Sequence, residues 1–183
     1  QMTQWNGAMI NYDTQSAHHR GNWPQGRGNH YLFDLNRDWF AQVHPESKGK
    51  VKAIMDWHPQ LVVDGHEMGP MDTYLFNPPR EPYNPFMPEL IYKWWKIMSL
   101  EHSAAFDKYG WNYYTREWNE EFFPGYGSSW SIYTGAVGLL YEQAGVDGSQ
   151  VIQRDGTVLT YRESVHHQFI SSMANLITVA DNR

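Results

Sequence analysis

The sequence predicts an α/β fold in which helices cover both faces of a sheet. Short, continuous apolar runs at 61–63 and 135–141 are typical of buried strands. Segments with helical apolar periodicity lie between and after these runs, at 88–110 and 161–176. Strands that alternate with helices are typical of a sheet buried on both faces.

Composition restricts the class of protein. With 183 residues, of which 41% are hydrophobic and 19% charged, the chain is expected to form a single domain over 1–183. It has no cysteine, which excludes disulfides and thiolate metal ligands. Its net charge of −6 argues against a nucleic-acid partner. Apolar runs are too short for a membrane helix, so no membrane partner is expected.

The first half of the chain predicts one helix and two strands. A helical pattern runs through 38–58 and stops at Pro59. The run 61–63 then predicts a short buried strand, and 73–76 predicts another. Five prolines within 77–88 predict an irregular surface loop.

The second half predicts two helices and two strands. Pro88 is suited to open a long helix, and Gly110 is suited to cap its C-terminal end. The aromatic segment 111–118 predicts a strand, 124–129 a loop, and 135–141 a buried strand.

The last helix has a sequence signal at its start. Thr160 and Glu163 have the spacing of a capping box. Behind them, four large apolar residues fall on one stripe, which predicts the face that packs on the core. These residues are Val165, Phe169, Met173 and Leu176.

Three apolar runs are each followed by polar side chains of catalytic type. Asn36 and Arg37 follow 31–35, Asp64 and His66 follow 61–63, and Glu142 follows 139–141. Ligands of open α/β sheets bind at the carboxyl ends of the strands. Singly, each side chain has an ordinary explanation, as a surface ion pair, a hydrogen-bonded histidine or an exposed strand end. Their coincidence predicts that the three ends converge on one crevice.

The His66-Glu67 pair does not fit a zincin. That motif needs a second histidine four positions after the first, on the same helix. Position 70 is Pro here, and Gly69-Pro70 would break a helix. A zincin-type protease is therefore the least favoured interpretation.

The same residues resemble a known family. The segment Asp34-Leu35-Asn36-Arg37 matches the Asp-x-Asn-Arg hallmark of the M14 (carboxypeptidase A-like) zinc carboxypeptidases. The segment 62–69 resembles the strand that carries the family's third zinc ligand, at His66. The segment 135–145 is similar to the strand with the catalytic glutamate, at Glu142. These segments are most similar to the large bacterial secreted branch of the family. The resemblance extends from about residue 20 onward.

The resemblance implies a mixed sheet and a zinc-dependent reaction. The implied activity is hydrolysis of the C-terminal bond of a peptide that has a free carboxylate. His66 would bind zinc, and Glu142 would act as general base. Asn36 and Arg37 would hold the terminal carboxylate of the substrate.

The resemblance implies two further site residues. A cation should stabilise the oxyanion, and the position of Arg20 in the loop makes it the first choice, before Arg27. Tyr126 lies in the loop before the catalytic strand and would close over the substrate. A packed loop residue is an equally good interpretation of Tyr126, because its spacing to Glu142 is shorter than the family pattern.

One part of the family pattern is absent from the sequence. The first two zinc ligands of the family come from a His-x-x-Glu motif upstream of the Asn-Arg segment, and no such motif occurs here. We therefore expect the chain to be the C-terminal portion of a catalytic domain that is incomplete at its N-terminus. The missing portion would be its partner and would supply the other ligands. The family branch implies a periplasmic or extracellular location.

Two alternatives remain open from the sequence. A deacylase of small N-acyl amino acids would use the same zinc and glutamate. A metal-free relative that binds peptide or glycan would explain the 16% aromatic content and the absent motif. The retained Asn36, Arg37, His66 and Glu142 argue against a pure binding module.

Overall fold

The computed structural model describes residues 28–146 and 148–183. Four α-helices and five strands occur in this part of the chain. The helices are α1 (Pro45–Trp57), α2 (Glu89–Asp107), α3 (Gly127–Ile132) and α4 (Tyr161–Asp181). The strands are β1 (Leu61–Met68), β2 (Tyr74–Phe76), β3 (Val137–Ala144), β4 (Gln150–Ile152) and β5 (Val158–Thr160).

The main sheet is mixed and has β3 at its centre. Its strand order is β1-β3-β2, with β1 parallel and β2 antiparallel to β3. The parallel pair is in register from Leu61 opposite Val137 to Met68 opposite Ala144. The segment 146–160, for which the sequence leaves a hairpin and an insertion equally open, contains β4 and β5, which pair as a separate antiparallel hairpin.

Helices cover both faces of this sheet, as the sequence predicts. On one face, the hydroxyl of Tyr141 lies 2.8 Å from Nε2 of His102 on α2 and 3.4 Å from the carbonyl oxygen of Ser171 on α4. On the other face, α3 packs so closely that a Cβ at Gly138 would collide with the Ser128 carbonyl. The mixed α/β fold class is therefore confirmed.

An aromatic cluster fills the space between the sheet and α2. Tyr74, Phe76, Trp95, Phe106 and Tyr141 are each at most 1% exposed. Burial of each such side chain stabilises the fold by about 2–3 kcal/mol. Their polar atoms have partners: the Trp95 indole donates to the Gly138 carbonyl over 2.9 Å, and the Tyr74 hydroxyl lies 2.8 Å from Ser171 Oγ. Core packing therefore accounts for part of the high aromatic content.

The apolar run 31–35 does not form a strand, so the expectation that Asn36 and Arg37 follow a strand end of the sheet is wrong. Asn29 Oδ1 accepts hydrogen bonds from the backbone N–H groups of Tyr31 and Phe33, and Leu32 has φ 62°, so the chain turns back on itself. A one-turn 3-10 helix, Leu35–Arg37, follows. Asn36 and Arg37 are thus held by a turn and not by a strand end.

Element ends also differ from prediction. β1 and β3 continue through the expected strand ends, because their parallel ladder extends to Met68 and Ala144. Asp64, His66 and Glu142 are therefore inside strands. The segment 111–118 makes a single bridge, Leu75 with Tyr114, before Arg116 turns at φ 62°.

Two predicted helix ends are also misplaced, and one short helix was not predicted. The helix expected within 38–58 begins at Pro45. α2 ends at Asp107 with Lys108 as its C-cap, and Gly110 lies in the following turn at φ 66°. α3 begins at Gly127, inside the expected loop 124–129.

In the last helix, α4, the predicted capping box is confirmed, whereas the predicted buried face is wrong. Thr160 Oγ1 accepts from the Glu163 backbone, and Glu163 Oε2 accepts from the Thr160 backbone. The predicted core stripe is wrong, since Phe169 is 57% and Leu176 64% exposed. Small and polar side chains face inward, because α4 packs closely on α2 and β3. These are Ser164, Ser171, Ala174, Asn175 and Thr178.

The buried His102 should make the fold sensitive to acid. Burial lowers the pKa of His102 from 6.5 to about 4. Between these pH values, the unfolded chain binds a proton that the native imidazole does not, so stability falls as the pH drops. We expect His102 to account for a loss of about 3 kcal/mol across this window.

The variant His102→Gln should remove this part of the pH dependence. Urea unfolding between pH 4 and pH 8 measures it. The difference between wild type and variant in the free energy of unfolding should shrink towards pH 4. A difference that is constant with pH would contradict the assignment.

Candidate active site

The register of β1 and β3 creates a cluster of titratable side chains. His66 lies directly opposite Glu142, and Asp64 shares a face of β1 with His66. These side chains open into a cavity of about 260 Å³. All the predicted site residues in the described part of the chain line it: Asn36, Arg37, His66, Tyr126 and Glu142. Arg20 and its alternative Arg27 lie outside the described residues.

Asn36 joins three parts of the site. Its Oδ1 accepts from the Trp39 indole at 3.0 Å and from the backbone N–H of Gly127, the first residue of α3, at 2.9 Å. Its Nδ2 donates to Asp64 Oδ2 at 3.1 Å and lies 3.1 Å from His66 Nε2. Because both Oδ1 lone pairs are used, the orientation of the amide is fixed.

Gly127 allows this close approach. A Cβ at this position would lie 2.9 Å from Asp64 Oδ2 and 3.0 Å from the Trp39 ring. Any larger residue would therefore push α3 away from Asn36. The N-terminal end of α3 is thus held at the cavity by the absence of a side chain.

The two ring nitrogens of His66 face different carboxylates. Nε2 lies 2.9 Å from Asp64 Oδ1, and Nδ1 lies 3.8 Å from Glu142 Oε1. When Nε2 carries the proton of the neutral ring and donates a hydrogen bond to Asp64, Nδ1 is the acceptor nitrogen. Nδ1 lies on the side of the ring that faces Glu142. A carboxylate on the second nitrogen is the usual support for a histidine that binds metal.

The donor set fits one zinc ligand but not a complete site. Within residues 28–146 and 148–183, no group of three His, Cys, Asp or Glu side chains is arranged to hold a metal ion. A catalytic zinc normally has three protein ligands. His66, oriented by Asp64, is suited to be one of them, and the others would have to lie outside the described residues.

Arg37 and Tyr126 form one wall of the cavity. The Arg37 guanidinium lies 4.7 Å from the centre of the Tyr126 ring, donates to the Asn36 carbonyl at 2.8 Å and is 3.6 Å from Asp34. The Tyr126 hydroxyl donates to Glu120 Oε1 at 2.9 Å. Burial and Glu120 together raise the pKa of Tyr126, which keeps the phenol protonated as a donor.

The segment before α3 supplies lining residues that the sequence analysis missed. Trp118, Asn119 and Glu120 all line the cavity. The sequence signal for them is weak, because they belong to an irregular loop and have neither period nor motif. Their proximity to Tyr126 along the chain is the one available clue.

Glu121 anchors this loop beneath the cavity. It is 2% exposed, and its Oε2 accepts hydrogen bonds from the hydroxyls of Ser128 and Ser129 on α3. Its Oε1 is buried and makes no hydrogen bond. Burial raises the pKa of Glu121 to about 7, and the charges of Asp64 and Glu120 act in the same direction.

Glu121 should make the fold less stable as the pH rises. Its pKa of about 7 exceeds the ordinary value of 4.5, so the native state retains a proton that the unfolded chain releases. Raising the pH from 4.5 to 7 should therefore cost about 3 kcal/mol of stability at this residue. This pH effect has the opposite sign to that of His102.

The variant Glu121→Gln tests this assignment, with Glu117→Gln as an exposed control. Relative to wild type, the Glu121→Gln protein should gain stability between pH 5 and pH 8 in urea unfolding, and the control should not. A parallel pH profile for wild type and Glu121→Gln would refute the raised pKa.

Comparison with known proteins shows the fold. The chain is similar in structure to a metallo-carboxypeptidase from Burkholderia cenocepacia, with a TM-score of 0.65 and 16% sequence identity. The match covers 86% of this chain and 41% of that protein, so the chain spans less than half of its neighbour's length. Neither a family model nor a curated protein matches the sequence. Among the described helices, none has the length and hydropathy needed to cross a bilayer. The comparison supports a fold similar to part of a metallo-carboxypeptidase.

Proposed function

We propose that the chain carries part of the active site of a zinc-dependent metallocarboxypeptidase of the M14 type. The observation behind this proposal is that Arg37, His66 and Glu142 line a single cavity, although they come from three separate segments. A carboxylate-binding guanidinium beside a metal-type histidine and a carboxylate base is the arrangement that C-terminal hydrolysis needs. The fold of the neighbouring metallo-carboxypeptidase supports the same interpretation.

Zinc would be held in part by His66 Nδ1, and when bound it would polarise the scissile carbonyl and acidify water. Glu142 lies 3.8 Å from this nitrogen and is 8% exposed. Its carboxylate would take a proton from the attacking water and deliver it to the leaving amine. Its low exposure keeps most bulk water away from the carboxylate.

Arg37 would bind the terminal carboxylate of the peptide. Its planar guanidinium can donate two parallel hydrogen bonds to a carboxylate. Tyr126 packs on the guanidinium and limits its movement. Asn36 would add one Nδ2 hydrogen to the same carboxylate, and Arg20 would stabilise the oxyanion. In this proposal the remaining zinc ligands and the partner segment lie outside the described residues, in a periplasmic or extracellular protein.

The cavity volume favours a second candidate substrate class. About 260 Å³ is slightly below the usual range for small-molecule sites. Such a volume suits a single amino-acid residue, so a deacylase of small N-acyl amino acids would use the same groups. Both reactions require Arg37 to recognise a free carboxylate.

Carboxylate recognition can be measured by NMR titration of the chain with Nα-acetyl-norleucine and with its amide. The free acid should bind at least tenfold more tightly, since a charged hydrogen-bonded pair contributes about 1.5–3 kcal/mol. The variant Arg37→Ala should remove this difference, and Arg37→Lys should restore it in part because Lys keeps the charge without the fork.

Arg162→Ala, an exposed change on α4, is the matched control for Arg37. It should leave both affinities unchanged. Equal binding of acid and amide by the wild-type protein would overturn the role of Arg37.

Metal binding is tested by calorimetric titration of the chain with zinc near pH 7.5. The variant His66→Ala should weaken zinc binding at least tenfold, because a neutral imidazole ligand is lost. His58→Asn is the control, since His58 is exposed and has φ 47°, which Asn tolerates. Unchanged zinc affinity in His66→Ala would contradict the ligand assignment.

A further inference from the structure

Glu120 is an acidic group in the cavity that the proposed reaction does not use. Its Oε1 accepts from the Tyr126 hydroxyl at 2.9 Å, and its Oε2 accepts from the Phe122 backbone at 2.6 Å. Each carboxylate oxygen has more than one acceptor position. Glu120 therefore keeps capacity for a donor on a ligand while its own position is fixed by two hydrogen bonds.

Tyr126 places opposite charges at two sides of one ring. The Arg37 guanidinium lies over the ring, 4.7 Å from its centre, and Glu120 binds the hydroxyl at the ring's end. The Tyr126 side chain thus lies between the positive group and the negative group. A ligand that bridges them needs a carboxylate at one end and a cation at the other.

The remaining charges of the cavity favour the same kind of ligand. Among the described lining residues, Asp64, Glu120 and Glu142 are acidic and Arg37 is basic. Asp64 and Glu142 face His66, whereas Glu120 lies on the opposite loop with Trp118. Trp118 is 48% exposed, and an indole ring attracts cations.

We propose that Glu120 makes the site selective for a C-terminal residue whose side chain carries a positive charge, such as an ammonium group. This inference rests on the proposed function, in which Arg37 holds the α-carboxylate of that residue. The ammonium group replaces its water contacts with Glu120 and Trp118, while an acidic side chain meets like charge there and is rejected.

NMR titration of the 183-residue chain with three ligands tests the selectivity. The probes are Nα-acetyl-lysine, Nα-acetyl-norleucine and Nα-acetyl-glutamate, which share the α-carboxylate and differ in side-chain charge. The lysine ligand should bind about tenfold more tightly than norleucine, and glutamate more weakly than either. The indole N–H signal of Trp118 should shift on binding of the lysine ligand.

Three variants separate charge from structure. Glu120→Gln should remove the preference for the lysine ligand over the norleucine ligand, whereas Glu120→Asp should retain much of the preference. Glu117→Gln, an exposed change nearby, should change neither. Because these readouts are binding constants, they do not depend on turnover.

The outcomes distinguish this inference from the proposed function. If acetyl-norleucine binds through Arg37 but acetyl-lysine binds no better, charge selection by Glu120 is overturned and the proposed function stands. If the preference survives Glu120→Gln, another group selects the charge and the inference is likewise overturned. If none of the three ligands binds, both proposals fail.

Discussion

The candidate site depends on the hydrogen bonds of one amide, the side chain of Asn36. It accepts from the Trp39 indole and from the first N–H of α3, and it donates to Asp64 on β1. Each donor left without this acceptor would cost about 1–3 kcal/mol if it stayed buried. The 3-10 turn, the central sheet and the short helix α3 are therefore fixed relative to one another at the point where the cavity opens.

The two walls of the cavity are built in different ways. One wall is the parallel pair β1–β3, whose register alone brings His66 opposite Glu142. The other is the irregular loop that leads into α3, and it is held by side chains: Glu121 on two serines and Glu120 on Tyr126. A ladder of backbone bonds fixes the groups proposed for chemistry, while side-chain contacts fix the groups proposed for specificity. Substitutions can thus alter the loop wall without changing the β1–β3 wall.

The sequence predicted the parts of the site that periodicity and motif encode. Apolar runs located β1 and β3, and the Asp-x-Asn-Arg resemblance pointed to Asn36 and Arg37. The prediction from sequence failed where side-chain hydrogen bonds override the apolar pattern. The Asn29 side chain folds 31–35 into a turn, which the apolar residues of that segment do not indicate. In α4 the large apolar residues were expected inside, but close packing with α2 requires small ones there. Glu120 and Glu121 were missed because a loop carries no period.

The central claim is that this cavity orients a free carboxylate towards Arg37 and the adjoining amide towards His66 and Glu142. A crystal structure of the chain with Nα-acetyl-lysine tests it most directly. We predict the carboxylate on the Arg37 guanidinium at about 2.8 Å, with the acetyl-amide carbonyl facing the β1–β3 wall. A ligand bound in the reverse orientation, or outside the cavity, would contradict this claim.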